Sequence, residues 1–149
     1  KKTMQDHPFN GINLREQPEA YRIGRGEYGV WHAEPYKSEL LPHWQFKDEA
    51  AAESAVKAIW SLYEGYRSDG DFPGMDVARK FLQMGFTRAR RYAKYPDGQK
   101  YDEAGNVKPV SGEDPEKAAA AQVFKAAWDA VREDEAYQRA KEAWRESYG

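Results

Sequence analysis

The apolar positions of this chain change their period as the chain runs from its N-terminal third into the rest. Residues 1–20 show no period at all. Pro8, Gly11 and Pro18 interrupt them, with Asn10 and Asn13 between, and the stretch reads as an irregular arm. Tyr21–Gly24 and Tyr28–Glu34 are short, aromatic and β-branched, and Arg25-Gly26-Glu27 separates them. That arrangement predicts a small β-hairpin whose turn uses glycine, with Pro35 ending the second strand. Tyr36–Lys47 contains Pro42 and closes on Trp44-Gln45-Phe46, which predicts a turn followed by a short extended piece.

From Asp48 the spacing becomes helical. Ala52, Ala55, Val56, Ile59, Leu62, Tyr63 and Tyr66 recur at intervals of three and four, and Asp48 is placed to cap the helix. Ser68-Asp69-Gly70-Asp71 breaks the pattern, and a second helix is predicted from Pro73 or Met75 to Lys94. Pro96-Asp97-Gly98 is a turn, and residues 99–113 read as a loop with extended character around Val107. Asp114 followed by Pro115 is a strong start signal for a third helix, with Val123, Phe124, Ala127, Trp128 and Val131 as its stripe. Asp134–Tyr148 repeats the spacing through Tyr137, Ala140, Trp144 and Tyr148, as a continuation or a fourth helix. The expected fold is therefore α+β: one domain over residues 1–149, mainly helical, with three to four helices and a small N-terminal β-hairpin.

Composition changes this picture in two respects. Charged residues make up 32% and the mean hydropathy is −0.99, values that alone suit a disordered chain. Five Trp, ten Tyr and six Phe argue for a packed core built on aromatics. The absence of cysteine excludes disulfides, thiolate metal sites and thiol nucleophiles. No apolar run approaches the ~20 residues of a membrane span, so a cytoplasmic location and no membrane partner are expected.

Charge is distributed unevenly. Met75–Tyr101 holds seven cations against two anions, a net of +5 within a chain whose total is −2. On the second helix, Val77, Phe81, Met84, Gly85 and Tyr92 mark one apolar sector, and Arg79, Lys80, Gln83, Thr87, Arg90, Arg91 and Lys94 share the opposite one. With Lys100 and the neighbouring Tyr92, Tyr95 and Tyr101, this strip predicts a nucleic-acid surface: guanidinium and ammonium groups on phosphates, rings able to stack on bases. Arg88 falls on the apolar side and is expected to pair with an acid from another helix. The bland alternative is a solvated helix face. A second is a protein-interaction module in which the same strip meets an acidic partner or a second copy.

Other motifs carry less. Gly24-Arg25-Gly26-Glu27-Tyr28-Gly29 matches GxGxxG, but Val30-Trp31-His32 after it does not read as a helix, so a turn is expected and no bound diphosphate. His32 and Glu34, with His43 nearby, are the one place where an acid–base enzyme site is conceivable, the third functional reading. No metal-ligand spacing occurs, and no cofactor is expected.

Three blocks carry a resemblance: Glu34–Lys47, Gly74–Phe81, and Gln83–Tyr92 with Lys100-Tyr101-Asp102. Together they resemble an uncharacterised family of bacterial and phage proteins known only as a domain of unknown function. The resemblance implies a compact cytoplasmic domain and brings no activity, cofactor or functional residue. A non-catalytic nucleic-acid-binding protein is therefore the expectation drawn from the residues themselves.

Overall fold

A computed structural model describes residues 7–24, 27–110 and 112–149. Its helices are α1 (Tyr36–Leu40), α2 (Glu49–Ser68), α3 (Phe72–Lys94), α4 (Pro115–Glu133) and α5 (Glu135–Tyr148). Short 3-10 turns lie at Pro18–Ala20, Tyr28–His32 and Leu41–His43. Among the described residues there is no β-strand, only an isolated antiparallel bridge between Tyr101 and Val107.

The α+β expectation is thus overturned: the fold is all-helical, and among the described residues there is no N-terminal hairpin. Tyr28–His32 coils into a 3-10 turn, and Tyr21–Gly24 forms no regular element. The expected turn residues Arg25 and Gly26 lie outside the described residues. The aromatic and β-branched residues that suggested strands are single anchors. Tyr21, Val30 and Ala33 are all buried in the common core, and backbone bonds such as Val30 N–H to the Glu27 carbonyl (3.1 Å) stay local. Burial against helices replaces cross-strand pairing, which is how tertiary context overrides β-propensity. At Trp44–Phe46 the chain leaves the 3-10 turn without a regular element, Trp44 being extended as expected, and Trp44 Nε1 donates to the Phe81 carbonyl on α3 (3.0 Å). The helix α1 occupies a stretch expected to be a turn.

Each of the four long helices starts on an aspartate. Asp48 accepts from Ala51 N–H (2.8 Å), Asp71 from Gly74 N–H (3.2 Å), Asp114 from Glu116 and Lys117 N–H, and Asp134 from Ala136 N–H (3.0 Å). A carboxylate there satisfies orphan amides and meets the positive end of the dipole. Asp134 also terminates α4, so the break into a separate α5 costs only one residue.

Helix α3 is the centre of the molecule, packed against α1, α2, α4 and α5. It packs most extensively on α4, where Gly85 faces the Phe124 ring and any Cβ would collide with it. Helix α5 docks through aromatics: Trp144 packs on Phe72 (5.3 Å between ring centres), with Tyr137 and Tyr21 also on Phe72. Trp144 Nε1 donates to the Tyr21 carbonyl (2.9 Å), tying α5 to the N-terminal segment. Among the described residues no helix is long and apolar enough to cross a membrane.

Candidate functional site

The polar strip of α3 is divided by its neighbours. At 100° per residue, Arg79, Arg90, Gln83, Lys94, Thr87, Lys80 and Arg91 fall within about 120° of arc. The N-terminal half of this arc is covered by α5 and residues 21–24, and the C-terminal half is open. Lys80 is only 5% exposed and Arg79 is largely covered, whereas Thr87, Arg90 and Arg91 face solvent and Lys94 is half-buried. A uniformly exposed strip is therefore not what the fold builds.

Arg79 is held by a network around Asp76, which is fully buried. Asp76 Oδ1 accepts from Arg79 Nη2 (2.7 Å), Arg79 Nε (3.2 Å) and the Tyr137 hydroxyl (2.6 Å). Its Oδ2 accepts from the Tyr21 hydroxyl (2.5 Å), and Arg79 Nη1 donates to Gln83 Oε1 (2.7 Å). Burial pushes the Asp76 carboxyl up, but the Arg79 charge and these hydrogen bonds outweigh it and hold it below its ordinary value. The guanidinium cannot swing away, because each of its three nitrogens is engaged.

Lys80 follows on the next position and lines a cavity of about 640 Å³ between α3, α5 and residues Ile23, Gly24 and Glu27. Arg79, Gln83 and Thr87 line it from α3, and Lys141 and Arg145 line it from α5. Burial, then the Arg79 charge, lowers the Lys80 ammonium from its ordinary value. Lys141 is lowered by burial, then by Arg79 and Arg145. Like charges converge on this cavity.

Two further hollows adjoin it. One of about 650 Å³ on α5 shares Lys141 and Arg145 and adds Arg132, with Glu142 and Glu146. The other, about 290 Å³, shares Glu27 and Thr87 and adds Arg88, Arg91 and Tyr92. Each shares two lining residues with the middle cavity, and the α3 cations that line the cavity and the second hollow run from Arg79 to Arg91, about 18 Å along the helix. Arg90, Lys94 and Lys100 line none of the three hollows; Lys100 sits on the following loop with its Nζ 5.7 Å over the Tyr101 ring.

Arg88 pairs with Glu27, so its partner comes from the N-terminal segment instead of another helix. Its guanidinium also lies over Trp31 (5.7 Å) and Trp44 (5.1 Å). Lys141, Arg145 and Glu27 escaped sequence reasoning. Tyr137, Lys141 and Arg145 recur at intervals of four beside the aromatic seam of α5, a spacing that signals one cationic ridge.

The histidine reading finds dispersed geometry. His32 is buried with Nδ1 on Asn10 Oδ1 (3.1 Å) and its ring stacked on His7, while Glu34 accepts from Ser38 N–H and Oγ. His43 is exposed. Among the described residues no group of three or more His, Asp or Glu is placed to hold a metal ion.

A family model described as Domain of unknown function (DUF4385) matches residues 4–147, and the chain belongs to that family. No curated protein and no solved structure matches.

Proposed function

We propose that this DUF4385 member binds nucleic acid, without catalysis, through the groove that α3 and α5 build. The observation that carries the reading is a row of three hollows that share lining residues and hold more cations than acids: Arg132, Lys141 and Arg145 with Glu142 and Glu146 at one end, Arg79 and Lys80 in the middle, and Arg91 with the Glu27-paired Arg88 at the other. A row of cations several ångströms apart suits a chain of phosphates, and guanidinium forks match phosphate oxygens. Tyr92, 37% exposed at the far end, offers a ring for base stacking. Arg90, Arg91 and Lys94 extend the charge onto open surface, where it steers a polyanion toward the groove.

The variant Arg90→Glu/Arg91→Glu tests this, since both side chains are exposed and the fold does not depend on them. Fluorescence anisotropy with labelled single-stranded DNA, duplex DNA and RNA should show most of the affinity lost for whichever form binds. Full affinity in the variant would overturn the reading. Light scattering after size exclusion separates the competing reading, in which the same face meets an acidic protein or a second copy: a salt-sensitive dimer that excludes nucleic acid would favour it.

A further inference from the structure

We infer that the middle cavity of the groove is a built site for a phosphomonoester, the doubly charged terminal phosphate of a nucleotide, and that the flanking hollows take the rest of the ligand. The inference deepens the nucleic-acid reading, because it uses the same groove, but it assigns a distinct chemistry to one part of it.

Three observations converge. First, the cavity's cations are pre-positioned. Arg79 is clamped by Asp76, Tyr137 and Gln83, and Lys80 is almost wholly buried with its Nζ 3.9 Å from where a Cβ on Gly24 would stand. Such rigidity removes the ordering cost that flexible surface lysines impose on a ligand. Second, the described acids beside the cavity, Asp76 and Glu27, are engaged by other groups. Asp76 is committed to Arg79 and the two tyrosines, and Glu27 to Arg88. No ion pair among the described residues engages Lys141 or Arg145. Third, beyond the burial that lowers them most, the cations burden each other: Arg79 lowers both Lys80 and Lys141 and Arg145 lowers Lys141 as well, with Asp76 offsetting part of this. A dianion placed among them reverses that repulsion, whereas a single phosphodiester charge reverses less of it.

Size and neutral donors fit the same ligand. The 640 Å³ cavity lies within the ordinary range for small-molecule sites and accommodates a nucleotide. On its α3 wall Gln83 presents an amide N–H for the remaining phosphate oxygens, while the Thr87 hydroxyl, which donates to the Met84 carbonyl (3.2 Å), can accept from a sugar hydroxyl.

The chemistry is shared by a free nucleotide and by the phosphorylated end of a strand, and the test separates them. Isothermal titration compares adenosine 5′-monophosphate with adenosine. Anisotropy compares one single-stranded oligonucleotide with a 5′-phosphate, with a 3′-phosphate and with neither. The expected result is that a terminal phosphate strengthens binding about tenfold or more, the scale of a charge-assisted contact, in at least one of the two series. Lys141→Gln/Arg145→Gln, two changes on the outer wall, should abolish that gain; Lys80→Met is the companion variant, with circular dichroism as its folding control. A gain confined to the mononucleotide assigns the site to free nucleotides, and a gain in the oligonucleotides assigns it to strand ends. Oligonucleotides bound equally with and without terminal phosphate, together with no preference for the monophosphate over adenosine, would overturn the inference and leave the groove reading standing. A phosphate-dependent mononucleotide with no oligonucleotide binding would uphold the inference and remove the nucleic-acid reading.

Discussion

Replacing Asp76 with asparagine keeps the shape of the side chain and deletes the one charge that neutralises Arg79 at the foot of α5. In the wild type a single carboxylate accepts from Arg79, Tyr21 and Tyr137, and it is fully buried. Asparagine can still accept from one hydroxyl, but its amide end faces donors, and the guanidinium is left largely covered without a counter-charge. Removing one partner of a buried ion pair costs about 3–5 kcal/mol. With a urea dependence of about 2 kcal/mol per molar, the unfolding midpoint should fall by roughly 2 M. The pH profile gives an independent check. The Asp76 carboxyl sits below its ordinary value in the folded state, so its contribution is complete above the unfolded value of ~3.9 and fades as pH falls through the folded one. The gap between wild type and variant should therefore be full at pH 7 and narrow only in acid. A variant that unfolds at the wild-type urea concentration at pH 7 would refute the reasoning, and so would a gap that widens in acid.

Three further outcomes test the packing that positions the groove. Gly85→Ala forces a Cβ into the Phe124 ring and should destabilise the protein by about 1–3 kcal/mol in thermal unfolding, despite alanine's better helix propensity. Asp48→Ala removes the hydrogen bond to Ala51 N–H and should cost about 1 kcal/mol in urea unfolding, with a far-ultraviolet spectrum otherwise unchanged. Asp134→Ala deletes the cap of α5 together with the acceptor for the Tyr63 hydroxyl (2.6 Å) and Arg67 (2.7 Å) on α2. Hydrogen exchange should accelerate in α5 while α3 keeps its protection, and groove affinity should drop because Lys141 and Arg145 lose their seat.

The helical half of the molecule was legible because its signals are local. Asp48 and Asp114 announce helix starts within three residues, and the spacing of Ala52, Ile59, Tyr63 and Tyr66 places one face without knowledge of the partner. The N-terminal third was not, because its aromatics are anchors for a surface formed much later in the chain: Tyr21 waits for Trp144 and Asp76, Trp44 for Phe81. Short apolar runs of that kind carry the same pattern whether they pair as strands or dock singly. The candidate site divides along the same line. The cationic arc of α3 follows from its sequence, but the covering of Arg79 and Lys80 depends on α5, and no local pattern shows that Tyr137 reaches Asp76. The pair Asp76–Arg79 at one-turn spacing, followed by Gln83, was the available hint that this end of the strip is internally satisfied.

The central claim is that the groove binds a phosphate chain, and its most direct test is the salt dependence of binding. Anisotropy titrations of labelled single-stranded DNA, duplex DNA and RNA across a salt series give log K against log salt. Four phosphates engaged by the groove predict a slope near −3.6 on duplex and about −2.8 on a single strand. Binding with such a slope for at least one of the three is the predicted result. No binding of any of them at low salt, or binding that ignores salt, would contradict the account.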